Sequence, residues 1–130
     1  MDFKGGARYR HPQAWINKVV DHDTILKNVR LSYRPRYSSR LRHFGLAVRT
    51  LSGFEDRMLI GRQSLVSRAE LIDTIIHEEL HHRIWKRAKR GREKDMIKIG
   101  DRTIEEAYVV AAASRFTRMK GLQHEPGSGQ

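Results

Sequence analysis

The chain has no cysteine among its 130 residues, and it also has no long apolar run. Without cysteine, disulfide bonds cannot hold the fold together, and a zinc ion cannot be bound by thiolates. A zinc site would have to use histidine and carboxylate ligands, which are more typical of catalytic than of structural zinc. The best apolar run, residues 107–113, is far too short to span a bilayer, so no membrane-spanning segment is expected.

Acidic residues are few compared with basic ones. The 15 Asp and Glu residues stand against 26 Lys and Arg residues, which gives a formal net charge of +11. Such a charge predicts an acidic partner, namely a nucleic acid, an anionic membrane surface or an acidic protein. The length suits one domain, which we assign to residues 1–122. Residues 123–130 contain Pro and Gly and are expected to form a flexible tail.

His77, Glu78 and His81 form the pattern His-Glu-x-x-His. Residues four apart on a helix share one face, so the two imidazoles can bind one zinc ion, and Glu78 can reach a water at the open metal position. Ser67-x-x-Glu70 is a capping box, which predicts a helix that begins at about residue 68 and runs to about residue 89. Apolar residues recur at helical spacing around the motif. A buried helix of this kind needs a metal or hydrogen-bond partners for its His and Glu side chains.

Two charged residues differ from the usual zinc-peptidase sequence. Glu79 follows Glu78 directly, and Arg83 lies two positions after His81. Both are expected on the side of the helix that faces away from His77 and His81, so the metal geometry is retained. They weaken the expectation that the substrate is an ordinary peptide.

A zinc site of this kind needs a third protein ligand, and Glu105 and Glu106 are the main candidates. They lie at the start of a second helix, predicted over residues 103–120, which would bring a carboxylate to the metal if it packed antiparallel to the first. Thr103-x-x-Glu106 is itself a capping box, which favours Glu105 as the ligand, but both residues flank the apolar stripe and the choice stays open. Tyr108 on the same helix is a candidate for stabilising an oxyanion. Weaker candidate ligands are Glu93, Asp95 and Asp101.

The rest of the chain predicts a small sheet and one further helical region. Residues 44–51 and 57–61 read as two strands joined by a turn, which together form an antiparallel hairpin. Residues 12–29 read as helical, with a break near residues 21–23. We therefore expect an α+β fold, in which a small antiparallel sheet packs on a zinc-bearing helix and a C-terminal helix.

Part of the chain resembles the C-terminal toxin domains of bacterial polymorphic toxins of the Rhs/YD-repeat type. The resemblance covers roughly residues 57–122 and is carried by IGR at 60–62, SRAELIDTIIHEELHH at 67–82 and RFTRMKGL at 115–122. It implies a zincin-like toxin with zinc ligands at His77, His81 and a Glu that best matches Glu106. It also implies secretion or delivery into a competing cell and an immunity protein in the producer, but it does not settle the substrate. A peptidase of this kind would act on a protein in the cytoplasm of the target cell. The first residues do not read as a signal peptide, so a larger protein or a dedicated machine is expected to carry the domain.

The favoured hypothesis is a zinc hydrolase, most simply a metallopeptidase toxin in which Glu78 acts as general base towards a zinc-activated water. A basic nuclease toxin that cleaves RNA or DNA is the alternative, because the charge of +11 suits a nucleic acid and because His and Glu can serve phosphodiester cleavage. A non-enzymatic nucleic-acid-binding module is a third hypothesis. This third hypothesis gives the His and Glu residues of the helix no function.

Overall fold

The computed structural model describes residues 7–50, 55–87, 98–99 and 102–122. Its helices are α1 (Ala7–Arg10), α2 (Pro12–His22), α3 (Arg68–Arg87) and α4 (Ile104–Met119). Its strands are β1 (Arg36–Tyr37), β2 (Gly45–Val48), β3 (Arg57–Ile60), β4 (Lys98–Ile99) and β5 (Arg102–Thr103). The predicted α+β class is confirmed. No helix among the described residues has the length and apolar character needed to cross a membrane. The predicted tail at residues 123–130 and the weaker candidate ligands Glu93, Asp95 and Asp101 lie outside the described residues.

The main sheet is mixed rather than purely antiparallel, which corrects the prediction. Its strand order is β1-β3-β2, and β2 and β3 form the predicted antiparallel pair. The additional strand β1 pairs parallel to β3, with Arg36 opposite Leu59. Gln13 of α2 holds β1 in place, because its amide nitrogen donates to the carbonyl of Pro35 (3.0 Å) and its oxygen accepts from the Tyr37 N–H (2.7 Å). This contact spans more than twenty residues, and local periodicity carries no signal for it.

The core lies between one face of the sheet and the helices. Met58 and Ile60 of β3 are fully buried, whereas Arg57 between the turn and Met58 is exposed, as expected for a strand with one face on the core. The helices contribute Ile16 and Val19 of α2, Leu71, Ile72 and Ile75 of α3, and Val109 of α4, and the short 3-10 turns between the elements add Leu26 and Leu65. Because α3 supplies the most, it lies at the centre of the fold, with Glu78 buried and His77 and His81 partly exposed.

Helix α2 ends where the sequence predicts a break. Asp23 is 3 % exposed and caps the following turn by accepting a hydrogen bond from the Ile25 N–H at 2.9 Å. The same carboxylate pairs with Arg68, whose Nη2 lies 3.0 Å from Oδ1 of Asp23. The end of α2 is therefore tied to the first residue of α3, which fixes where the central helix begins.

The N-terminal cap of α3 provides a first test of the fold. Oγ of the fully buried Ser67 accepts a hydrogen bond from the Glu70 N–H at 3.1 Å, so the predicted cap is present. We expect Ser67→Ala to lower the free energy of unfolding by about 1 kcal/mol, because one N–H of the first turn loses its partner. Urea denaturation measures this, with Ser39→Ala at an exposed position as the matched control. An unchanged midpoint for Ser67→Ala would contradict the assignment.

Candidate metal centre

The two histidines of the motif point at a single carboxylate on α4. Helix α3 packs against α4, and the rings of His77 and His81 lie side by side with centroids 5.1 Å apart. Nε2 of His77 lies 2.9 Å from Oε1 of Glu106, and Nε2 of His81 lies 2.8 Å from Oε2 of the same residue. Two imidazole nitrogens and one carboxylate from two different helices therefore converge on one point.

Glu105 occupies a different place from Glu106. Its Oε1 lies 2.7 Å from Nδ1 of His81, on the side of the ring opposite to Nε2. The Glu105 side chain is only 8 % exposed, against 37 % for Glu106. An ionised carboxylate can only accept, so Nδ1 of His81 donates to Glu105, and this is the ring nitrogen that keeps its proton if a metal binds at Nε2. The geometry thus separates two residues between which the sequence left the choice open.

Glu78 lies beside this group. One ligand atom from each of His77, Glu78 and His81 can be chosen so that all lie within 4.8 Å of one another. Glu78 is 7 % exposed, and the backbone N–H of Ala47 in β2 donates to its carboxylate. Burial raises the pKa of Glu78 to about 7; the charge of Glu106 adds to this, while His81 and the Ala47 N–H act against it. A carboxyl group that titrates near neutrality is suited to accepting and releasing a proton.

The donor set fits a zinc ion. Zinc in catalytic sites takes imidazole nitrogens and carboxylate oxygens, and His77, His81 and Glu106 supply two nitrogens and one carboxylate. Burial lowers the pKa of His77, which outweighs the opposing effect of Glu106 and favours the neutral form that binds metals. Glu105 contacts Nδ1 of His81 and thereby orients the ring, as carboxylates do for zinc-binding histidines. These residues could therefore hold a metal ion, and their donor atoms are of the kind that zinc takes.

The two unusual charged residues of the motif face another part of the molecule. Glu79 is 2 % exposed and accepts hydrogen bonds from the N–H and Oγ of Ser32 at 2.7 and 2.8 Å. Arg83 donates to the same carboxylate at 2.8 Å and to the carbonyl of Arg30 at 2.9 Å. Both residues thus fasten α3 to the loop before β1, and the sequence-based expectation that they face away from His77 and His81 agrees with these contacts.

Sequence reasoning missed three residues that surround the site. Gly45 and Ala47 bring β2 against Glu78, and the ring of Trp85 lies 5.7 Å from the ring of His81. Trp85 follows His81 by four residues, so helical spacing could have placed it there. A glycine at the start of a strand is a recognised sign of close backbone approach, which could have identified Gly45.

Tyr108, the candidate for stabilising an oxyanion, is 60 % exposed. Its role at the oxyanion stays a prediction.

Comparisons with known proteins add no assignment. No protein-family model, curated protein or solved structure matches this chain. A function for the chain therefore rests on the geometry and chemistry of its own residues.

Proposed function

We propose that this chain is a zinc-dependent hydrolase of the metallopeptidase type, with a zincin-like arrangement of α3, α4 and the β2–β3 hairpin. One observation carries the proposal. Nε2 of His77 and Nε2 of His81 meet the carboxylate of Glu106 at 2.9 and 2.8 Å, with the buried Glu78 next to them. A helix that served only to pack would have little reason to bury Glu78 beside two partly buried histidines.

His77, His81 and Glu106 would hold the zinc, and Glu105 would orient His81 through Nδ1. When bound, zinc supplies Lewis acidity, which lowers the pKa of a water and polarises a carbonyl oxygen. Glu78 takes the proton from the attacking water and passes it to the leaving amine. Burial raises the pKa of Glu78 to about 7 in the metal-free chain, and the same burial favours holding the proton between the two transfers. Tyr108 remains the candidate for stabilising the oxyanion.

The biological setting is proposed from the resemblance and the charge. A toxin domain that is delivered into a competing cell would act on a protein in the cytoplasm of that cell. The net charge of +11 supports an acidic inhibitor as the immunity protein of the producer, because opposite charges speed association and add specificity.

The same charge supports the alternative, a nuclease that cleaves RNA or DNA. Cations neutralise phosphates, and nucleic-acid affinity grows with the number of such contacts. The site itself favours the peptidase, since the His-His-Glu donor set with an adjacent buried carboxylate suits activation of a water for attack on an amide carbonyl.

Zinc content and substrate class test the proposal together. We expect about one zinc per chain by elemental analysis, and cleavage of a quenched fluorescent peptide library that a chelator abolishes and added zinc restores. Plasmid DNA and tRNA, incubated in parallel, are expected to stay intact. Chelator-sensitive degradation of either nucleic acid would support the nuclease instead. Well-folded protein that takes up no added zinc would contradict both the metal site and the peptidase.

A further inference from the structure

The first residue of β2 lies against the central helix with no room for a side chain. Gly45 pairs with Ile60 of β3 and faces α3. A Cβ atom at position 45 would lie 2.5 Å from Cγ2 of Thr74, 3.0 Å from Oε2 of Glu78 and 3.2 Å from Cγ of Glu78. The first distance is far shorter than any ordinary carbon–carbon contact, so strand and helix could approach this closely only at a glycine.

This close approach has a chemical consequence two residues further along the strand. Among the described strands, β2 is at the edge of its sheet, so its alternate N–H groups point away from β3 and have no partner in a described strand. The N–H of Ala47 donates to the carboxylate of Glu78. A strand that was displaced outward by a side chain at position 45 would withdraw this donor and leave the nearly buried carboxylate without it.

We propose that Gly45 is a positioning residue for the general base: it lets β2 lie close enough to α3 for the Ala47 N–H to hold the Glu78 carboxylate beside His77 and His81. The inference rests on the proposed function, in which Glu78 accepts the proton of the attacking water. The candidate zinc ligands come from α3 and α4, whereas the donor to Glu78 comes from β2. Displacing β2 is therefore expected to disturb Glu78, whereas none of the three candidate zinc ligands lies on the displaced strand.

The test uses Gly45→Ala, in which the new methyl group collides with Thr74 and Glu78. We expect zinc content to be unchanged and kcat on a cleaved library peptide to fall at least about tenfold with little change in KM, because a shift of even 1 Å in a catalytic group is costly. The Ala47 amide proton, followed by NMR in the metal-free protein, should move upfield as its hydrogen bond weakens. Leu46→Ala, at the neighbouring residue that is 42 % exposed on the other face, is the control and should change neither readout.

A second substitution tests whether the collision is the cause. Thr74→Ser removes the methyl group that the new Cβ would meet, so Gly45→Ala/Thr74→Ser should recover much of the turnover and the Ala47 amide shift. Thr74→Ser alone should behave like the unaltered protein. Relief of the collision would also restore any stability that Gly45→Ala loses, so turnover and the Ala47 amide shift are the readouts, and absence of their rescue would overturn the proposal.

Other outcomes separate this inference from the proposed function. If Gly45→Ala does not fold, Glu78→Ala in the metal-free protein still decides: an unmoved Ala47 amide proton overturns the inference, and a clear upfield shift supports it. Unchanged turnover and amide shift in folded Gly45→Ala would also overturn it. Failure of the unaltered protein to bind zinc or cleave peptides would instead contradict the proposed function, and the amide measurement does not depend on that result.

Discussion

Glu106→Gln is expected to lose zinc, whereas Glu105→Gln is expected to keep it with weaker affinity. Glu106 faces both Nε2 atoms at 2.8–2.9 Å, so it would contact the metal itself. Removing its charge deletes one of three protein ligands, and we expect zinc affinity to fall by more than about 100-fold. Glu105 faces Nδ1 of His81, and loss of such an orienting carboxylate typically costs 10- to 100-fold in affinity or activity.

Competition against a chromophoric chelator measures both affinities on the same scale. The two variants change neighbouring residues by the same single atom in each side chain and remove the same charge, so each is the control for the other. His77→Ala provides the reference for a missing ligand and should resemble Glu106→Gln. A larger loss in Glu105→Gln than in Glu106→Gln would reverse the assignment of the two carboxylates and support the choice that the capping box suggests.

The central helix shows which parts of the site sequence alone can predict. The cap at Ser67, the start of α3 at Arg68 and the shared face of His77 and His81 depend on local spacing, and all are found as expected. The start of α4 at Ile104 is within one residue of the prediction. Local spacing suffices here because caps and helical periodicity are set by residues within one or two turns of each other.

Local spacing could not decide whether Glu105 or Glu106 is the third ligand. Glu105 and Glu106 are adjacent and point about 100° apart around α4, and both lie beside its apolar stripe. Which one reaches the two Nε2 atoms depends on how α4 is rotated against α3, and this is set by tertiary packing. The parallel strand β1 and the contact of Gly45 with α3 are non-local in the same way, since each joins segments more than twenty residues apart. Such contacts leave at most a weak trace in a single sequence, such as a glycine inside a strand.

Glu78→Gln is expected to retain zinc and to lose most of its peptidase activity. The amide cannot accept the proton of the attacking water, and removal of a general base typically costs about 10²–10⁴ in rate. The zinc ligands are untouched, so the metal content should stay at one per chain. Full activity in this variant would contradict the mechanism. Chelator-sensitive nucleic-acid cleavage that disappears in this variant would support the nuclease alternative.

Glu78→Gln should also make the metal-free protein more stable at high pH. The pKa of Glu78 is raised from 4.5 to about 7, mainly by burial, so the folded chain holds this proton more tightly than the unfolded chain. Protonated Glu78 therefore contributes to the free energy of unfolding. This contribution is complete below pH 4.5 and is lost as the pH rises through 7, and the shift in the pKa of Glu78 corresponds to about 3 kcal/mol in total. Gln cannot ionise, so this loss is absent in Glu78→Gln, and between pH 5 and pH 8 the variant should gain about 2–3 kcal/mol relative to the unaltered chain.

Denaturant unfolding of both metal-free proteins at pH 5 and pH 8 measures this difference. Burial lowers the pKa values of His77 and His82, which destabilises the fold towards low pH, but both histidines are present in both proteins and their effect cancels in the comparison. A pH-independent difference would show that Glu78 titrates near its ordinary pKa. Glu78 would then be ionised well below neutrality, and protein groups around it would have to stabilise the charge more strongly than His81 and the Ala47 N–H do here. A pH-dependent gain together with retained zinc and lost turnover would tie the burial of Glu78 to its role as general base.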